Sequence, residues 1–145
     1  MLGLRLALTS APVLEVREAE SGARLFCVAV ASGDEVLYLS INSIYNVPVQ
    51  ERWRVQDDGA LAVVEVISTP AVIGYYSIED FTFLGDGLAH AVPRELHLRD
   101  VRLKVGARGQ QRLVVGNREV ALYQLVPEAS VVIVAVREVA RLLSC

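Results

Sequence analysis

Apolar and polar residues alternate with a period of two along most of the chain, in short stretches separated by turn residues. The first such stretch, 13–17, is turned by Glu20-Ser21-Gly22 into a second over 24–30. Phe26, Val28 and Val30 share one face of that second strand, and Leu25, Cys27 and Ala29 share the other. Both faces are apolar, which predicts a strand inside a sheet wall rather than at an edge. Ser32-Gly33-Asp34 turns the chain into a third strand over 35–41. Alternation then fails from Asn42 to Pro48. Pro48 cannot donate to a ladder and pushes Val47 towards an extended conformation, so a bulge or sheet corner is expected there. It resumes with Val49, Glu51, Trp53 and Val55 on one face and Gln50, Arg52 and Arg54 on the other. Asp57-Asp58-Gly59 is a hairpin signal, and 61–69 is the returning strand.

The second half is less regular at first. Pro70 ends the returning strand, and Ser77, with Asp80 three residues on, predicts one helical turn at 77–81. A short strand is expected at 88–92, before Pro93. Over 95–105, Leu96 and Leu98 lie on one face and Val101, Leu103 and Val105 on the other, a change of phase near Asp100 that predicts a bulge. Strands at 112–115 and 118–125 are joined by Gly116-Asn117, a two-residue turn of the Gly-first kind. The last strand is 131–136, and 137–143 either continues it or forms a terminal helical turn. About ten short strands at this spacing predict an all-β antiparallel fold, a sandwich or a closed barrel, with at most one or two short helical turns. The 145 residues carry no linker or internal repeat, so one domain over 1–145 is expected, large enough for a core without metals or disulfides.

Composition sharpens this picture in three ways. The chain is 53% hydrophobic, with Val dominant, which favours strands. Its net charge of −3 argues against nucleic acid as a partner and against an anionic membrane surface. No apolar run is long enough for a membrane helix, and residues 1–11 are too short for a signal peptide, reading as a frayed terminus or the remnant of a trimmed leader. Of the two cysteines, Cys27 sits in an apolar run as a small hydrophobe and Cys145, the terminal residue, is expected to be mobile. The sequence leaves a disulfide between them open.

Candidate chemistry concentrates between Ile41 and Val55. Glu51 shares an apolar face with the only Trp, so its carboxylate must be paired, hydrogen-bonded or protonated. It is either a ligand-binding or acid/base group, or a structural carboxylate partnered by an Arg or by backbone N–H groups. The structural role is preferred, with Arg52 excluded because it points to the opposite face. Under that role Glu51→Gln should cost about 3 kcal/mol or more. Asn42, Ser43, Tyr45 and Asn46 supply polar groups that either line a pocket mouth or satisfy the backbone of an irregular turn. Tyr75 and Tyr76 form either an aromatic wall beside such a pocket or a plug over the core. Asn42, Ser43, Tyr45, Glu51, Tyr75 and Tyr76 are thus the candidate ligand-binding residues. His90 and His97 have no acidic or Cys partner at ligand spacing, no metal site is predicted, and no cofactor signature is present. The loop 106–109, with Arg108, is either an anion site or an ordinary hairpin loop.

Asn42-Ser43-Ile44, then Pro48-Val49, then Glu51 and Trp53 together resemble the prokaryotic family called domain of unknown function 1850. There a strand leads into His-Ser-Val, then Pro-Val, a Glu and an aromatic residue. Pro12-Val13-Leu14-Glu15-Val16 with the strand 24–30, and Gly116 to Val120 through Leu125-Val126-Pro127, extend the resemblance over nearly the whole chain. Two departures stand out. The family's His is Asn42 here, so no proton or metal role of that His carries over. Its Gly-Ala-Gly-rich segment corresponds to 71–77, which keeps only Gly74.

The resemblance implies no reaction. It implies an accessory domain, extracytoplasmic or membrane-adjacent, associated with tripartite ATP-independent periplasmic transporters for carboxylates. A transporter subunit or a small carboxylate ligand is the expected partner, and a cytoplasmic location stays open. Three functions compete. One is a non-catalytic accessory or small-ligand-binding domain, which is favoured. Another is a hydrolase or isomerase using Glu51 with Tyr45 or Tyr75. The last is a structural module that homodimerises through a strand edge, with 131–136 the natural candidate.

Overall fold

The computed structural model describes residues 9–94, 96–143 and 145. Most of the 1–11 segment, read above as frayed or as a leader remnant, lies outside them, as does Glu95. Twelve strands are present among the described residues: β1 (Ser10–Glu18), β2 (Arg24–Ala29), β3 (Glu35–Asn42), β4 (Val47–Val55), β5 (Leu61–Ser68), β6 (Thr82–Gly85), β7 (Leu88–Ala91), β8 (His97–Leu98), β9 (Val101–Lys104), β10 (Arg112–Val115), β11 (Arg118–Ala121) and β12 (Val131–Ala140). Turn residues stand where the chain reverses. Gly59 at φ 78° closes the β4–β5 hairpin, and Gly116 at φ 58° opens the two-residue turn between β10 and β11.

The strands form two antiparallel sheets. The smaller has the order β2-β1-β12-β9; the larger has the order β11-β10-β3-β4-β5-β7-β6, with β8 also pairing with β5. Their inner faces meet in one apolar cluster. Leu14, Val16, Val132 and Val134 come from the smaller sheet, against Val36, Trp53, Leu61, Val66 and Leu113 from the larger. The arrangement is a sandwich, not a closed barrel.

Several local expectations are corrected. β2 is an edge strand; on its second face Cys27 is disulfide-bonded to Cys145 (Cα–Cα 5.5 Å), while Leu25 falls at a register shift against β1 and packs on the core. Cys145 is therefore tethered rather than mobile. β12 is not an edge: β1 pairs with it from Val132 to Ala140, and β9 pairs over Val131–Val134. The phase change near Asp100 is no bulge but the crossing between sheets, since β8 pairs with β5 in the larger and β9 with β12 in the smaller. The interruption from Asn42 to Pro48 is a tight hairpin: Asn42 pairs with Val47, Ile41 pairs with Pro48, and Asn46 adopts φ 55°.

Helix is the minor component expected, but the turn predicted at 77–81 lies elsewhere. An α-turn at Pro70–Ile73 runs into a 3-10 turn at Gly74–Tyr76, and single 3-10 turns occupy Leu122–Gln124 and Arg141–Leu143, three sites among the described residues rather than one or two. Pro70 opens the first of them, where its missing N–H costs nothing. Ser77 does not begin a helix; it ends one, in the left-handed region at φ 57°. At the other end of the chain, 137–143 both continues the strand and turns, because β12 reaches Ala140 before the last 3-10 turn.

Candidate functional site

The β3–β4 hairpin is held by its own first residue. The Asn42 side-chain oxygen accepts the N–H groups of Ile44 and Tyr45, both at 3.0 Å, and the Asn46 N–H reaches the Asn42 carbonyl at 2.7 Å. Asn42 thus fixes the turn, as Asn commonly does. The turn stands beside the helical segment 70–76, and between them opens a cleft of about 430 Å³. Its described lining includes Tyr38, Asn42, Ser43, Tyr75, Tyr76 and Gln111. Tyr45 does not line it. Its ring packs on Tyr75 at the rim, centroids 6.2 Å apart, and a hydrogen bond between the two phenols raises the Tyr75 hydroxyl above its ordinary value.

Glu51 lies directly beneath. It pairs across the ladder with Tyr38, and Val49, two residues before it on the same face, lines the cleft. Only 8% of Glu51 is exposed. One carboxylate oxygen accepts the indole N–H of Trp53 at 2.6 Å, and the other accepts the hydroxyl of Tyr76. The predicted arginine or backbone partner is replaced by two neutral side chains. The reason is the strand period, which sets Trp53 on the same face two residues on, and the turn at 74–76, which carries Tyr76 over that face. Arg52, on the opposite face as expected, pairs with Glu35 at 2.9 Å and Glu65 at 3.4 Å.

Burial, then the charge of Glu51 and the hydrogen bond to it, push the Tyr76 phenol far above its ordinary range, so it stays a donor. Burial pushes Tyr38 up to about 12; a hydrogen bond with Ser40 offsets part of this and the charge of Glu51 adds to it. Tyr38 stacks on Trp53 with centroids 5.2 Å apart. An aromatic and carboxylate column therefore runs from the cleft into the core.

Of the six predicted site residues, Asn42, Ser43, Tyr75 and Tyr76 share the cleft, Tyr45 edges it and Glu51 underlies it. Tyr38, Ser40 and Gln111 were not singled out from sequence. Tyr38 and Ser40 carry a readable signal, since they continue the inward face of a strand that ends in Asn42. Gln111 comes from a loop whose approach no local pattern encodes.

Elsewhere, His90 does have an acidic neighbour: its ring nitrogen lies 3.1 Å from Glu65 on the adjacent strand. The 106–109 loop is already capped, because the Ala107 N–H donates to the Glu128 carboxylate at 2.9 Å. Among the described residues, no three of His, Cys, Asp and Glu converge to hold a metal ion. Compared with protein-family models, with curated proteins and with solved structures, the chain finds no match in any of the three.

Proposed function

We propose that this protein is a non-catalytic accessory domain that binds through the cleft beside the β3–β4 hairpin, in the setting of tripartite ATP-independent periplasmic transport that the resemblance implies. The observation carrying this is the arrangement around Glu51. The cleft is open and ringed by hydroxyl, amide and aromatic groups, while the one carboxylate beneath it is held by Trp53 and Tyr76. An enzyme using Glu51 with Tyr45 or Tyr75 needs those groups to meet. Instead Tyr45 and Tyr75 meet each other, and the hydrogen bonds of Glu51 run elsewhere.

An extracytoplasmic location is supported independently of the resemblance by the Cys27–Cys145 disulfide, since such bonds persist in oxidising compartments. No helix among the described residues is long and apolar enough to cross a membrane. Attachment to a transporter would then run through protein contacts, for which Ile44, Tyr45 and Tyr75 offer exposed apolar surface at the cleft rim.

Co-purification of the tagged protein with the membrane subunits of a tripartite transporter from the same cells tests the proposal. Recovery of those subunits, reduced by Tyr45→Asp, is expected. If no transporter subunit is recovered and no small molecule raises the melting temperature, the proposal fails.

A further inference from the structure

We infer that the cleft beside the β3–β4 hairpin takes a small organic cation, of the alkylammonium or quaternary ammonium class. The inference rests on the binding role proposed above and specifies its ligand chemistry.

Three tyrosines, Tyr38, Tyr75 and Tyr76, line the cleft, and a fourth, Tyr45, packs on Tyr75 at its rim. Aromatic faces attract cations through their quadrupole, and the effect grows as the site is desolvated. Beneath these rings lies Glu51. Other carboxylates of low exposure in this fold have arginine partners: Glu15 has Arg17 and Arg24, and Glu65 has Arg52. The two hydrogen-bond donors of Glu51 are instead an indole and a phenol, which satisfy its oxygens without balancing its charge. Tyr76 makes the connection, with its ring in the cleft wall and its hydroxyl on the carboxylate.

The remaining wall fits the same ligand class. Ser40, Asn42, Ser43 and Gln111 make the rest of the wall polar but uncharged, the Asn42 and Gln111 oxygens already accepting backbone N–H groups, and among the described lining residues none is Lys or Arg. A carboxylate entering here would find no cation and an acidic floor. A hard metal ion would find one carboxylate where several oxygens are required. A volume of about 430 Å³ lies within the range of small-molecule sites.

The test uses tetramethylammonium, tert-butanol as a neutral alcohol of the same tetrahedral shape and heavy-atom count, and acetate as probes, followed by calorimetry and thermal shift on the intact protein. Tetramethylammonium is expected to bind and raise the melting temperature, with acetate and the alcohol inert. Tyr75→Leu alters a side chain in a residue 62% exposed, so the fold should persist while affinity falls about three- to fivefold. Glu51→Gln should weaken the cation further without creating acetate binding. Equal binding of the alcohol, or preference for acetate, would overturn the cation assignment and leave the cleft-binding role standing. Absence of binding by every probe, together with failure to recover a transporter subunit, would overturn both. Absence of binding with a transporter subunit recovered would overturn the cation assignment alone.

Discussion

The Trp53 indole donates its N–H to the Glu51 carboxylate at 2.6 Å, two residues back along the same strand. An in-strand pair of this kind exists because residues i and i+2 share a face. It places the only tryptophan and the only carboxylate of that face in direct contact, between the core and the cleft.

Substitution at Glu51 should be graded by what it leaves unmatched. Glu51→Gln keeps an oxygen for the indole N–H and turns an amide NH2 towards Tyr76, whose hydroxyl can accept instead of donate, so a cost of about 1–2 kcal/mol is expected, lower than an arginine partner would impose. Glu51→Leu strands both the indole N–H and the phenol, each worth roughly 1–3 kcal/mol when buried and unpaired. Urea denaturation of both variants checks this. Equal losses would show that neither bond is formed.

Trp53 is 1% exposed and stacked on Tyr38. Trp53→Ala should cost about 3–5 kcal/mol through the cavity it opens. Native emission should be blue-shifted and resist quenching by iodide. Emission like that of free tryptophan would place the residue outside the core.

Much of this was legible because strand period and turn chemistry are local. Asp57-Asp58-Gly59 and Gly116-Asn117 made the hairpins they signal, and alternation put Glu51 and Trp53 on one face. What was not legible depended on partners distant in sequence. Leu25, Cys27 and Ala29 suggested an interior strand, yet β2 is an edge covered in part through a residue 118 positions away. The Leu96–Leu98 to Val101–Val105 phase change looked like a bulge, because a crossing between sheets leaves the same local mark. Tyr76 could not be matched to Glu51, since the two lie 25 residues apart and meet only because the 70–76 segment turns back over β4. Ser77 had the chemistry of a helix start, but Pro70 had already opened the helical segment about two turns earlier.

The disulfide closes a separation of 118 residues. In the chain-entropy model a loop of that size contributes about 4–5 kcal/mol. Thermal melts with and without reductant should differ accordingly, and intact mass should show two hydrogens fewer in the native protein. Identical melts and a mass with both thiols free would remove the bond and the support it gives to an oxidising location.

Glu15, 3% exposed, contributes to the acid limb of stability. Burial alone would raise its carboxyl, but the hydrogen bond and charge of Arg17, followed by those of Arg24, outweigh it and hold the group below its ordinary value of 4.5. A lowered folded value means the stabilisation is whole above 4.5 and is lost as pH falls through the folded value. Glu15→Gln should therefore cost about 1.5–3 kcal/mol near neutral pH and progressively less in acid. A difference that stays constant with pH would contradict this account.

The most direct test of the cleft as the binding site uses the single tryptophan. One indole N–H signal is expected in a proton–nitrogen correlation spectrum, and it reports the Glu51 contact. Titration with tetramethylammonium should shift that signal together with the backbone amides of residues 42–45 and 75–76. If the indole and these amides stay still while signals elsewhere move, for instance at the exposed Phe83 and Leu84, the binding site is not the cleft above Glu51.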